Sequence, residues 1–137
     1  MGGMSSVGPF SLDTDPVHLS GALRNVPIEG FDFTPDAFMA YIGAHCSDDD
    51  PGRIAMIEHS PEPWGAWECH HDGDELVIVT SGVALFVQEI DGEHVQQRVT
   101  AGQAIINPRG VWHTADVEQP FSAVYLTPCP GTEHRPR

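Results

Sequence analysis

The sequence predicts an all-β domain, a barrel or sandwich, preceded by one short helix. Three observations lead there. From Arg53 onward, short runs of β-branched and aromatic residues alternate with Gly, Pro, Asp and Asn about every ten residues, the rhythm of strands joined by tight turns. Asp91-Gly92 separates VALFVQEI from EHVQQRV and supplies the residue pair that favours a two-residue β-hairpin. Earlier in the chain, TPDAFMAYIGAH offers Thr34 as an N-cap, Pro35 at the first helical position and Asp36 in the first turn, followed by Phe38, Tyr41 and Ile42 at helical spacing.

Taken in order, residues 1–15 begin with a Gly- and Ser-rich stretch and read as a flexible tail, leaving 16–137 as a single domain. The helix follows Phe31. The acidic cluster SDDDPG at Ser47 to Gly52 reads as a solvated turn, because it lacks the ordered series of oxygen ligands that calcium requires. Strands are expected near 53–59, 64–70, 75–80, 83–90, 94–99, 103–106, 111–116 and 121–127. The arm around Val17 to Leu19 is expected to pair with the sheet edge of a second copy, so a homodimer is expected.

Composition excludes several classes of function. The 137 residues, 40% hydrophobic and 19% charged, suit one globular domain with a core that needs no disulfide staples. A formal net charge of -14 repels phosphate backbones and anionic lipid surfaces, so neither nucleic acid nor membrane is an expected partner. The sequence has no apolar run approaching the roughly 20 residues of a membrane-spanning helix, and MGGMSSVGPF lacks the regions of a signal peptide. A cytoplasmic location is the expectation. Cys46, Cys69 and Cys129 are odd in number and widely spaced, which indicates free thiols rather than a disulfide framework.

Two stretches concentrate the chemistry: ECHHDGDELVIVTSG at Glu68 to Gly82, and GQAIINPRGVWH at Gly102 to His113. The first resembles the cupin motif of spaced histidines, a Glu, six residues and a Gly, with Glu75 and Gly82 at the last two positions. The second resembles the other cupin motif, with Gly102, Pro108, Gly110 and His113 on each of its positions. The resemblance covers Arg53 to about Thr127 and implies a double-stranded β-helix, or jelly-roll barrel. It also implies a metal centre on His70, Glu75 and His113.

Where the usual cupin ligand set has a further histidine, this chain has Glu68 or Cys69. The run WECHHDGDEL is similar to a cupin subgroup in which Trp-Glu-x-His precedes Gly-Asp-Glu, which favours Glu68 and His70. Strand residues two apart share a face, so in this register Glu68 and His70 point inward while Trp67, Cys69 and His71 point out. The rival register places Cys69 and His71 inside. A thiolate would favour zinc or another soft ion, whereas Glu68 leaves an all-nitrogen-and-oxygen site better suited to iron or manganese.

The expected cofactor is one divalent transition metal, Fe, Mn, Zn, Ni or Cu, on His70, Glu75, His113 and Glu68, with Glu68 and Glu75 also the candidate catalytic carboxylates. The resemblance implies an enzyme acting on a small molecule, a dioxygenase, isomerase or lyase; a binding or sensor module using the same pocket is the alternative. The plainer readings stand beside these. His70, Glu75 and His113 also suit a metal-free hydrogen-bonded cluster, and Gly82, Gly102 and Gly110 suit tight turns. Trp64, Trp67 and Trp112 suit packing or an interface, and Arg109 and Arg135 suit ordinary solvated positions, with contact to an anionic substrate as their functional alternative.

Overall fold

The structure, a computed structural model, describes residues 7–137. The first six residues of the expected tail lie outside the described part. Further along that tail, His59 Nε2 lies 2.8 Å from Asp13 Oδ1 and the Gly30 amide donates to Asp15 Oδ1 at 3.1 Å, so this part is tied to the domain.

Two short strands, β1 (Val17–Leu19) and β2 (Asn25–Pro27), precede helix α1 (Pro35–His45). Thr34 caps the helix as expected, its hydroxyl accepting from the Ala37 amide at 3.1 Å. Seven strands follow: β3 (Arg53–Ser60), β4 (Ala66–His70), β5 (Glu75–Ile90), β6 (Glu93–Thr100), β7 (Ala104–Asn107), β8 (His113–Thr127) and β9 (Thr132–Pro136). The sheet is antiparallel and curled, with the order β2-β1-β3-β8-β4-β9; β5 pairs β6, β7 and β8. Its concave face holds the core, in which Ile54, Val77, Phe86, Phe121 and Tyr125 are almost wholly buried.

Several boundaries differ from expectation for physical reasons. The runs 75–80 and 83–90 form one strand, bent by register shifts between Val79 and Ala84. Gly82 lies in this bulged region with φ +78°, and a β-carbon there would stand 2.0 Å from the Pro120 carbonyl oxygen. Close backbone approach, not a turn, therefore demands this glycine. Residues 121–127 and the part of 111–116 from His113 onward likewise belong to one strand, whose register with β5 carries the same shifts. Asp91-Gly92 forms the expected hairpin, with φ of 53° and 79° and Ile90 opposite Glu93.

Val17–Leu19 is not left for a second copy. It pairs on one side with β2 and on the other with β3 of its own chain, so β2 is the outer strand. The helix packs beside it, where His18 Nδ1 meets the Tyr41 hydroxyl at 2.6 Å. Among the described residues, no helix is long and apolar enough to cross a membrane.

Candidate metal centre

The sequence brings His70, Glu75 and His113 together through three local devices. Strand alternation sets the first: in β4, Glu68 and His70 face the concave cavity, while Trp67, Cys69 and the following His71 face away. Cys69 Sγ instead lies 4.0 Å from His71 Nδ1, and His71 Nε2 lies 3.5 Å from Glu133 on the outer side. The turn Asp72-Gly73-Asp74 then returns the chain to Glu75. It is clasped by Arg109, whose amide donates to Asp74 Oδ1 at 2.7 Å and whose Nε donates to the His71 carbonyl at 2.6 Å. Finally, the Gly110 amide donates to the His70 carbonyl at 2.8 Å, setting the start of β8 so that His113 stands opposite Glu68.

Glu75 is the hub. It is 2% exposed, and its Oε1 lies 3.3 Å from His113 Nε2 while its Oε2 lies 3.3 Å from His70 Nε2. Asn107 Nδ2 donates to Oε1 at 2.9 Å and the Thr127 hydroxyl donates to Oε2 at 2.7 Å. Gln88 in turn donates to Asn107 Oδ1 at 2.9 Å and fixes that amide's orientation. Burial pushes the Glu75 carboxyl up, but the two imidazoles more than offset it and hold the group well below the ordinary carboxylate range. Burial pushes the His113 imidazole down, and Glu75 reverses this and raises it.

The outer imidazole nitrogens set the inner ones. His113 Nδ1 lies 3.2 Å from the Val111 carbonyl, which only accepts, so Nδ1 carries the proton and Nε2 presents its lone pair to the centre when the ring is neutral. His70 Nδ1 lies 2.9 Å from the Thr132 hydroxyl, which also reaches the Pro128 carbonyl at 3.4 Å. Both Nε2 atoms are buried without a directed hydrogen bond, since the Glu75 contacts are charge contacts off the bonding direction. Buried imidazole nitrogens turned toward carboxylates form a donor set that fits a transition metal.

Glu68 completes the arrangement from the open side. Its Oε2 lies 3.9 Å from each of the two Nε2 atoms, and donor atoms of Glu68, His70 and His113 all lie within 4.8 Å of one another. Its Oε1 meets His134 Nε2 at 3.2 Å, and this contact raises the His134 imidazole above its usual value.

Above this floor is a cavity of about 520 Å³. Glu58, Trp64 and Tyr125 form one side of it, and Phe38, Met39 and Ile42 of α1 form another. Trp64 therefore packs and also faces the cavity: its ring centroid is 6.4 Å from that of His113, and its Nε1 donates to Ser60 at 3.1 Å. The other two tryptophans sandwich Arg135, which pairs with Glu89 away from the cavity. Neither Arg109 nor Arg135 lines the cavity, so neither meets a molecule held there.

Glu58, Asn107, Thr127, Thr132 and His134 were absent from the expected site. Strand period two does signal Glu58, since Ile54, Met56 and Ser60 on the same strand are buried. Thr127 extends the inward series Ala123, Tyr125 in the same way. Asn107 lies within the second motif, but its contact with Glu75 requires the β5–β7 pairing. No local signal marks Thr132 or His134.

The fold and the centre place the chain in a class. Residues 56–128 match the family model described as "Cupin domain", and the chain belongs to the cupin family. Among solved structures, it is similar to hydroxypropylphosphonic acid epoxidase from S. wedmorenis, at 10% identity and a TM-score of 0.48, covering 55% of this chain and 43% of that one. A hydroquinone 1,2-dioxygenase from a Sphingomonas species is similar at 15% identity and a TM-score of 0.44, covering 54% and 57%. An oxalate oxidase matches at 20% identity and a TM-score of 0.44, covering 59% and 43%. The matches thus span 43% to 57% of the length of these proteins. No curated protein sequence matches the chain.

Proposed function

We propose that this chain is a metal-dependent cupin enzyme acting on a small molecule, with His70, Glu75, His113 and Glu68 holding one divalent transition metal. The observation that carries the reading is the pair of buried, unpartnered Nε2 atoms of His70 and His113 at the floor of an open cavity. All four residues offer nitrogen or oxygen, and Cys69 is turned away, so the donor set suits iron, manganese, zinc, nickel or copper. When bound, such an ion supplies a Lewis acid or redox centre beside the substrate.

The chain's own residues divide the remaining work. Asn107 and Thr127 hold both Glu75 oxygens, and Val111 and Thr132 orient the imidazoles, which keeps the centre rigid. Glu68 is the less constrained carboxylate, 31% exposed, and faces the cavity. Its contact with His134 makes Glu68 Oε1 the atom at which a proton is taken up or delivered. A homodimer remains part of this reading, and its contact does not use the hydrogen-bonding edges of β1, both of which are filled within the chain.

Elemental analysis of protein reconstituted with each metal tests the centre. About one ion per chain is expected, and His70→Ala and His113→Ala should each abolish it. A wild-type content near zero rejects the reading. Retention of metal by His70→Ala with loss in His71→Ala rejects the ligand assignment. Oxygen uptake and product analysis with the loaded protein then separate turnover from ligand binding alone, and light scattering checks the dimer.

A further inference from the structure

The cavity above the centre has a chemical character of its own, independent of which ion sits at its floor. Among the described residues its lining contains the carboxylates Glu58, Glu68 and Glu75 and the imidazoles His70 and His134, and no Lys or Arg. The nearby guanidinium groups are committed elsewhere, Arg135 to Glu89 and Arg109 to the His71 carbonyl. Two of the carboxylates would balance a divalent ion, and His134 is engaged with Glu68, so an anionic molecule entering here meets no fixed positive charge left without a partner. The α1 side is apolar, formed by Phe38, Met39 and Ile42, with Trp64 on another side.

Above the floor, one polar group is poorly satisfied. Tyr125 is 1% exposed and lines the cavity, and its hydroxyl makes no hydrogen bond of good geometry; its polar neighbour is Ser60, whose Oγ already accepts from the Trp64 indole. A buried hydroxyl without a partner is costly, and a ligand group placed beside it removes the cost. Glu58 lines the same side of the cavity. Burial is the main cause that pushes its carboxyl up to about 7, and its oxygens give a second polar partner for a ligand hydroxyl beside Tyr125.

We propose that this cavity takes an uncharged, largely apolar, ring-sized molecule carrying at least one hydroxyl group, whose body lies against α1 and Trp64 and whose hydroxyl is received by Tyr125 and Glu58. The proposal deepens the reading of the site as a small-molecule enzyme, and rests on it for the meaning of the floor. It excludes carboxylates and phosphonates as preferred ligands. A cavity of about 520 Å³ falls in the ordinary range for small-molecule sites.

Toluene, 4-methylphenol and 4-methylbenzoate share one body and differ only in the group presented, which makes them suitable probes. Their affinities for full-length protein at neutral pH, with and without added metal, are to be read by NMR chemical-shift titration. The expected order is 4-methylphenol first, about tenfold tighter than 4-methylbenzoate and about fivefold tighter than toluene. Tyr125→Phe should remove the advantage over toluene without lowering metal content. Glu58→Gln, which keeps the shape and removes the charge, should narrow the penalty on 4-methylbenzoate. Equal or tighter binding of 4-methylbenzoate, equal binding of toluene, or no binding of 4-methylphenol at millimolar concentration overturns the proposal. Metal content measured on the same samples separates the two readings: the expected probe order in protein that takes no metal supports this proposal and rejects the metal centre.

Discussion

The floor of the cavity and its α1 side are built in opposite ways. The floor is polar and buried: His70, Glu75 and His113 are each at most 2% exposed, and their partners come from β5, β7, β8, the β7–β8 turn and β9. The α1 side is apolar and partly open, with Met39 68% exposed and Phe38 and Ile42 only partly buried. The two also differ in origin. The floor's histidines and Glu75 fall within the matched residues 56–128, whereas Phe38, Met39 and Ile42 lie outside them. Chemistry needs fixed donors with paired hydrogen bonds, and selection of a ligand needs only shape and polarity. A chain can therefore change what it binds by altering α1 without disturbing the centre.

The sharpest break in this comparison is removal of a floor imidazole. His113→Ala should lower metal occupancy at least about tenfold at equal added metal, measured by elemental analysis, while Met39→Ala leaves it unchanged. Next is the support beneath the floor. Asn107→Ala deprives Glu75 Oε1 of its amide donor and Gln88 of one of its two acceptors, and should cost about 2 kcal/mol in urea unfolding with about tenfold weaker metal binding.

The pH response of the metal-free protein sharpens the contrast further. Glu75 is depressed in the fold, so its contribution is present above its unfolded value of 4.5 and lost as pH falls through the lower folded value. His113 is raised, so its contribution is complete below 6.5 and lost as pH rises through the higher folded value. Thermal melts of metal-free protein should thus weaken on both sides of that window. Loading with metal should flatten the alkaline side, because a bound ion would take the place of the proton on His113 Nε2 beside Glu75. A metal-free melting curve that rises steadily above neutrality would contradict the Glu75–His113 pairing. The smallest effect belongs to the α1 side: Met39→Ala should change stability by less than about 0.5 kcal/mol, while altering affinity for 4-methylphenol in the same titrations.

Much of the fold was legible because its signals are local. Thr34, Pro35 and Asp36 mark the helix start within one turn, and Asp91-Gly92 specifies its hairpin through the backbone angles of two adjacent residues. Strand alternation likewise orients Glu68 and His70 against Cys69 and His71, since side chains two apart share a face. The joining of 75–80 to 83–90 was not legible. Gly82 looks the same whether it ends a strand or admits the Pro120 carbonyl, and only the partner strand distinguishes the two.

The sequence by itself determined the all-β architecture, the two motif stretches and the sharing of one face of β4 by Glu68 and His70, while the choice of that face as the inward one came from the family resemblance. Tertiary structure alone decided that β1 pairs within its own chain, that α1 lines the cavity, and that Thr127, Thr132 and His134 close around the centre. His134 approaches Glu68 across 66 residues of chain, and Thr127 approaches Glu75 across 52. Such contacts arise when a curled sheet brings distant strands side by side, and no periodicity within a strand encodes which distant strand will become its neighbour.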